Sequence, residues 1–375
     1  LYVAGRRYSL PVNASMTTGQ VATSLVALMT ADSTCPVAAV GSTNTVTFTA
    51  VNKGPVGNTI DIRTNYQGTL GGEASPVGLA FTIVPMASGG VAPSLSAALA
   101  NLGSQTFDFI VCPYTDTTSL NALKDLLNDT TGRWSWGAQL YGHVFAAQSG
   151  TLGTLTTAGL ARNNQHESIL GFNDSPTPAY VWASALAGAS AVALRSDPGR
   201  PLQTLVLQGV LAPPLQSRFA LVDQNTMLYD GISTFAVADD GTVSISNLIT
   251  TYQKNAFGSA DNSYLEVETL FTLAAVLRSM RAVVTSKFSR SKLAADGTRF
   301  AAGSAIVTPS IIRAELVANY RDLEFKGLVQ NGDAFKAGLI VQQNATNPNR
   351  VDVLWPGTLI AQLRIFALLA QFRLQ

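Results

Sequence analysis

Apolar and polar positions alternate with different periods along the chain, and the period changes divide it into three stretches. In residues 1–90, Thr17 and Gln20 stand three apart in a capping-box arrangement, and Val21, Leu25 and Leu28 continue on one helical face. Thr45–Ala50 alternates threonine with Val46, Phe48 and Ala50, the pattern of a half-buried strand. A turn at Gly54-Pro55-Val56-Gly57-Asn58 predicts a second strand over 59–64, and residues 79–84 predict a third. This stretch reads as a small β-rich α/β domain.

Residues 91–230 alternate strand-like and helical segments. The apolar run 107–112 predicts a buried strand, followed by a helix capped by Asp116 or Thr117 with Leu120, Leu123 and Leu127 on one face. Residues 139–147 and 168–172 predict two further strands, with a helix over 155–162 between them. Such alternation predicts a central α/β layer with a partly parallel sheet. Prolines at 198, 201, 213 and 214 then interrupt the chain.

Residues 231–375 predict an α+β domain with an antiparallel sheet. A hairpin over 234–249 turns at Asp239-Asp240-Gly241. Ser263 and Glu266 form a second capping-box pair, predicting a long helix with Val267, Leu270, Leu273, Ala274 and Leu277 inward. Thr308 and Pro309 open another helix, Ile312, Leu316, Tyr320 and Leu323 give its buried face, and Gly327 marks its stop. Residues 335–342 predict a strand. After it come a short alternating segment, a turn at Trp355-Pro356-Gly357, and a long apolar-rich segment from Leu359. Fully extended to Leu374, that segment would span roughly 50 Å. Strands in compact domains are about a third as long. A strand of that length requires pairing beyond one ordinary sheet, so association with another chain is expected, with Leu359, Leu363, Ile365, Phe366, Leu368 and Phe372 as the arm.

Composition supports association over chemistry. The 375 residues are 47% apolar and only 13% charged, against about 25% charged in ordinary soluble domains. A weakly ionic surface costs little to desolvate, which suits faces covered by copies of the same chain. Net charge is +1 and no basic-aromatic ladder occurs, so direct nucleic-acid binding is not expected. The uncharged window 175–194 holds two prolines and is too short in its apolar part to span a bilayer, so no membrane insertion is expected. The chain opens without Met and reads as a trimmed product or fragment. Cys35 and Cys112 are too few for a disulfide framework and fit a reducing compartment.

Candidate chemistry is sparse. Asp239-Asp240-Gly241-Thr242 resembles a loop of haloacid-dehalogenase-type phosphatases, but Ala238 occupies the position where their nucleophilic carboxylate belongs. Asp296-Gly297-Thr298 has Ala294 in the corresponding place. Neither histidine, His143 or His166, has a second ligand at metal spacing, so no metal is expected, and no cofactor fingerprint occurs. A Cys112–His pair, or a scattered hydrolase site around Asp239 and His166, is the catalytic alternative. The basic group Arg278, Arg281, Lys287, Arg290 and Lys292 follows the long helix, as a solvated face or a contact for an acidic partner.

Several stretches together resemble the contractile tail sheath proteins of Mu-like phages. They are residues 51–58, 132–136 with 140–145, 168–176, 197–205, 249–253, 293–299 and the terminal segment from Asn349. The resemblance also extends, mainly in the last third, to sheaths of R-type pyocins and type VI secretion systems. It implies a non-enzymatic subunit of a virion tail sheath, assembled in the host cytoplasm. Copies would stack in six-membered rings around a tail tube protein, between baseplate and tail terminator, and would contract to drive the tube through the host envelope during genome ejection. It further implies terminal arms that donate strands to neighbours, with residues 231–375 as sheath core. The family begins with a longer N-terminal portion than this chain has. Another tail or baseplate component of the same machine is the alternative within this class.

Overall fold

A computed structural model describes residues 1–365 and 367–369, so Phe366 and Phe372 of the expected arm lie outside the described residues. Contacts divide the chain into two compact units. One comprises Leu1–Ala191 with Leu202–Leu265, the other Val192–Pro201 with Glu266–Gln375.

The first unit begins with the helix Thr18–Thr30, where the Thr17–Gln20 capping box is formed reciprocally. Capping of this kind contributes about 1 kcal/mol. Val21, Leu25 and Met29 are buried beneath it. Val37–Ser42 pairs antiparallel with Thr45–Ala50. The strand expected over 59–64 shrinks to Ile62–Arg63, and the turn before it is a 3-10 helix, Pro55–Thr59. No regular structure forms over 79–84, where Val84 is 78% exposed. An alternating pattern specifies a strand only when there is a surface to bury it against.

The centre of this unit is a parallel three-stranded sheet, in the order Phe109–Val111, His143–Ser149, Glu167–Phe172. Five of the seven residues in the middle strand are buried, as are all six of the last. Near-continuous burial is what a parallel sheet covered on both faces requires. Leu120, Ala146, Leu155, Ile169, Met227 and Ile232 form one core cluster. Gly171 allows this packing, because a Cβ there would lie 2.6 Å from Met227 Cε and 2.7 Å from Ile232 Cγ2. Trp182 of the helix Ala179–Ser196 is fully buried and stacks on Phe172 at 4.7 Å. The hairpin Thr234–Val237/Val243–Asn247 is antiparallel, with Gly241 at φ 84° in its turn. No described helix is long and apolar enough to cross a membrane.

The second unit is built on two helices, Val267–Phe288 and Pro309–Phe325. Met280, Val307, Ile312, Leu316, Tyr320, Leu323, Phe335 and Leu339 form its core. Gly327, at φ 72°, stops the second helix where the sequence placed the stop. Two expectations fail here. Ser263 does not cap the long helix: its hydroxyl donates to Asp261 at 2.6 Å, and Glu266 occupies the N-cap without a side-chain cap bond. Residues 335–338, expected as strand, belong to a short helix Gly332–Gly338 instead. Asn331 enters that helix in the left-handed conformation, and Phe335 stacks face to face on Tyr320 at 3.7 Å. The antiparallel sheet forms as separate two-stranded pieces, Ile340–Gln343 with Val351–Leu354 and Val329–Gln330 with Thr358–Leu359.

Candidate subunit-association site

Lone two-stranded hairpins occur in both units, Val37–Ser42/Thr45–Ala50 in the first among them, and the one nearest in sequence to the expected arm lies in the second. In the hairpin Ile340–Gln343/Val351–Leu354, the register sets Ile340 opposite Leu354 and Val341 opposite Val353. Val341 and Val351 pack on the core, while Ile340 and Leu354 are 49% and 63% exposed. Asn344 closes the turn, donating its backbone N–H to Arg350 O at 2.8 Å and its side-chain amide to Asp352 at 2.6 Å. That bond is the main reason the Asp352 carboxyl sits below its usual range. Among the described residues no third strand joins this pair. A lone two-stranded hairpin has unsatisfied backbone edges and is marginal by itself.

The terminal segment starts as part of its own subunit. Thr358–Leu359 pairs with Val329–Gln330, and Ile360 N–H donates to Leu328 O at 3.2 Å. Tyr320 Oη donates to Gln330 O at 2.7 Å and accepts from Thr358 N–H at 3.0 Å, pinning the strand to the core helix. Beyond Leu359 the described residues adopt no regular structure. Among the described residues the strand expected from Leu359 is limited to the two-residue Thr358–Leu359, because a strand forms only against a partner edge. Leu363, Ile365, Leu368 and Leu369 are 73–85% exposed. Arg364, between two of them, turns inward to Glu266 and Glu268.

All five basic residues are exposed. Arg278, Arg281 and Lys287 lie on the second half of Val267–Phe288, Arg290 follows it, and Lys292 is in the two-residue strand Lys292–Leu293. Lys287 Nζ is 2.5 Å from Glu315 Oε2. Positive charge here is favoured by the carbonyl end of the helix dipole.

The histidines and Cys112 of the catalytic alternative have bonding partners within the fold. Asp239 is exposed at a hairpin tip, next to Asp240, whose Oδ1 accepts from Thr242 N–H at 2.8 Å. His166 is buried, bonded to Asp129 at 2.7 Å and stacked on Trp134 at 4.6 Å. His143 bonds Ser168 at 2.9 Å, and burial holds its ring well below the usual imidazole range. Cys112 donates to Tyr114 O at 3.1 Å, and burial pushes its thiol up to about 11, away from the thiolate a nucleophile needs. Sequence reasoning missed the buried ion pair Arg162–Glu167, bidentate at 2.7 and 2.8 Å, with Thr251 and Asn164 also bonding the carboxylate.

The second unit thus carries a hairpin with no further strand among the described residues and exposed apolar residues from Leu363 on. Residues 89–251 match the phage tail sheath protein central domain, and residues 259–373 the phage tail sheath C-terminal domain. The chain is 44% identical over 372 residues to the Mu-like prophage FluMu tail sheath protein of Haemophilus influenzae, covering 99% of this chain and 75% of that protein. It belongs to the phage tail sheath protein family. The solved sheath tail protein of Listeria innocua has a similar fold, with a TM-score of 0.50 at 12% identity, over 86% of this chain and 64% of that one. The sheath tail protein of Desulfitobacterium hafniense gives 0.49 at 14% identity, over 86% and 65%. The chain thus spans just under two thirds of the length of these two proteins.

Proposed function

We propose that the chain is a structural, non-enzymatic subunit of a contractile tail sheath. Copies stack in six-membered rings around a tail tube between baseplate and terminator, and the sheath shortens to drive the tube through the host envelope. The observation that carries this reading is the hairpin Ile340–Gln343/Val351–Leu354, which no further strand joins among the described residues, in the same unit as the exposed Leu363, Ile365, Leu368 and Leu369. An arm from one copy, adding to that hairpin in the next, completes both by β-augmentation, with main-chain bonds that tolerate rigid-body turning. Contraction then repacks subunit faces between two arrangements, and many small releases of free energy sum to mechanical work without nucleotide.

Residues 231–375 form the sheath core under this reading, and residues 1–90 and 91–230 supply outward or lateral surfaces. The basic group from Arg278 to Lys292 meets an acidic face of the tube or of an adjoining copy. The virion tail is the site of action, after assembly in the host cytoplasm. Electron microscopy of the full chain mixed with tube subunits tests the proposal. Striated cylinders around tubes are expected. A hydrolytic rate lost in Asp239→Ala, without cylinders, would replace the sheath reading with the enzyme reading. Sheath polymers of uniform diameter formed without other proteins would count against a tube or baseplate role.

A further inference from the structure

A strand edge also stands open in the first unit, beside the parallel layer. The strand Thr234–Val237 meets Glu167–Phe172 only through Ser233, the residue before it. Ser233 N–H donates to Ile169 O at 2.8 Å, and Ser233 O accepts from Gly171 N–H at 3.1 Å. Beyond Ser233 the two strands part. On its other side Thr234–Val237 pairs with Val243–Asn247, and Ala238 N–H donates to Thr242 O at 2.9 Å. Alternation along an antiparallel pair then points the N–H and C=O of Phe235 and Val237 away from the hairpin. No described residue bonds these main-chain groups. A groove of about 390 Å³ opens along this edge, lined by the strand together with Leu215, Phe219 and Met227. Its charged lining residues are Arg218, whose Nε donates to Pro213 O at 2.9 Å, and Asp239 at the hairpin tip. Thr234 also lines it, 1% exposed, and its hydroxyl has no partner among the described residues. Buried polar groups are normally bonded, and the main chain of an extended segment would supply what this edge lacks.

The same unit holds a segment with the complementary deficit. Residues 79–84 alternate like a strand, with Leu79, Phe81 and Ile83 on one face once extended. They have no edge to pair with, and no backbone hydrogen bond joins residues 80–84 to another described residue. Phe81, Ile83 and Val84 are exposed. Between Glu73 and Asp108 the sequence has no charged side chain. In charge this segment matches the groove, because seating it there takes no ionised group out of water. The tail from Leu363 matches less well, since Arg364 lies between its first two exposed apolar residues.

We propose that residues 79–84 of one copy add as a strand to the Thr234–Val237 edge of an adjoining copy, with Phe81 and Ile83 seated in the groove. The contact rests on the reading that copies assemble into a sheath, and it is separate from the arm. A six-residue strand covers far less than the roughly 1,200 Å² that a stable complex buries. It therefore forms inside the lattice, where other contacts already hold the copies together.

Mixed assembly tests the contact. Full chains carrying Thr82→Cys are combined with full chains carrying Ala236→Cys, assembled with tube subunits and treated with a short bismaleimide. The natural Cys35 and Cys112 are buried. A cross-link between the two kinds of chain is expected, at least tenfold above that from Thr82→Cys mixed with Ala295→Cys. Adding Val237→Pro to the Ala236→Cys chain gives an independent readout, because it removes an N–H that the hairpin does not use. That chain should melt close to its parent and cross-link at least fivefold less. Unchanged cross-linking would overturn the main-chain pairing. A cross-link formed only when both cysteines share one chain would overturn the proposal in favour of self-pairing. One from Ala236→Cys to Leu363→Cys in its place would overturn it in favour of the tail. Failure of unaltered chains to form any sheath would remove the assembly reading, whereas sheath without the expected cross-link removes the groove contact alone.

Discussion

The parallel layer of the first unit and the hairpin of the second meet the same requirement in different ways. Both must satisfy strand backbones and bury apolar faces. In the first, Glu167–Phe172 is buried along its whole length, and its outer side is joined by the bridge Leu170 to Ser233. Even its charged residue, Glu167, is bonded by Arg162, Asn164 and Thr251. In the second, Ile340–Gln343 and Val351–Leu354 have each other and no further strand among the described residues. The last strand of the parallel layer is enclosed by its own chain, whereas the hairpin leaves Ile340 and Leu354 49% and 63% exposed, with no further strand on it among the described residues. A sheath subunit can use both, a buried layer for rigidity and an exposed hairpin for connection.

The contrast breaks most completely at the tail. Removing residues from Leu359 onward should abolish polymer formation by the full chain, read by electron microscopy or sedimentation, while leaving the parallel layer folded. Filaments that survive the deletion would contradict the arm. In the closed layer the largest effect should come from Arg162→Met. It strands a fully buried carboxylate, so chemical denaturation should show a loss of about 3–5 kcal/mol.

The closed layer was also the more legible in sequence. The Asp116 cap, with Asp116 Oδ1 accepting from Ser119 N–H at 3.0 Å, and the stripe of Leu120, Leu123 and Leu127 formed as the spacing indicates. So did parallel pairing in the central layer, because periodicity and long-range burial agree there. Legibility failed where a residue's partner is remote. Glu266 reads locally as the third helical position of a capping box, yet its carboxylate is 2.8 Å from Arg364, nearly a hundred residues later. Phe335 reads as strand, but stacking on Tyr320 favours a helical turn. The tail reads as one long strand from its apolar content alone, which does not specify the edge it would pair with. Of the expected arm, Leu359 is paired inside its own subunit and Leu363, Ile365 and Leu368 are exposed.

Smaller perturbations sharpen the comparison. Leu354→Lys places a charge on the exposed hairpin face. It should change folding stability by no more than about 0.5 kcal/mol while reducing sheath yield severalfold, a separation that a core position such as Leu316 would not give. Leu316→Ala should instead cost about 2–5 kcal/mol. Reversing Arg281 and Arg290 to Glu should weaken tube association in a salt-dependent way, measured by co-sedimentation at low and moderate ionic strength.

A pH response is confined to the parallel layer. Burial keeps His143 neutral when folded, with nearby His166 disfavouring its charge further. The unfolded chain takes up that proton below about pH 6.5. The unfolded state then binds more protons, so stability falls as pH drops below that value, by at most about 1.4 kcal/mol per unit. His143→Gln should flatten this slope in pH-dependent melting.

The most direct test is a density map of the assembled sheath, traced from Arg364 outward. The account predicts that the chain beyond Arg364 leaves its own subunit and adds to the Ile340–Gln343/Val351–Leu354 hairpin of an adjoining copy. A tail folded wholly onto its own subunit, touching no other copy, would contradict it.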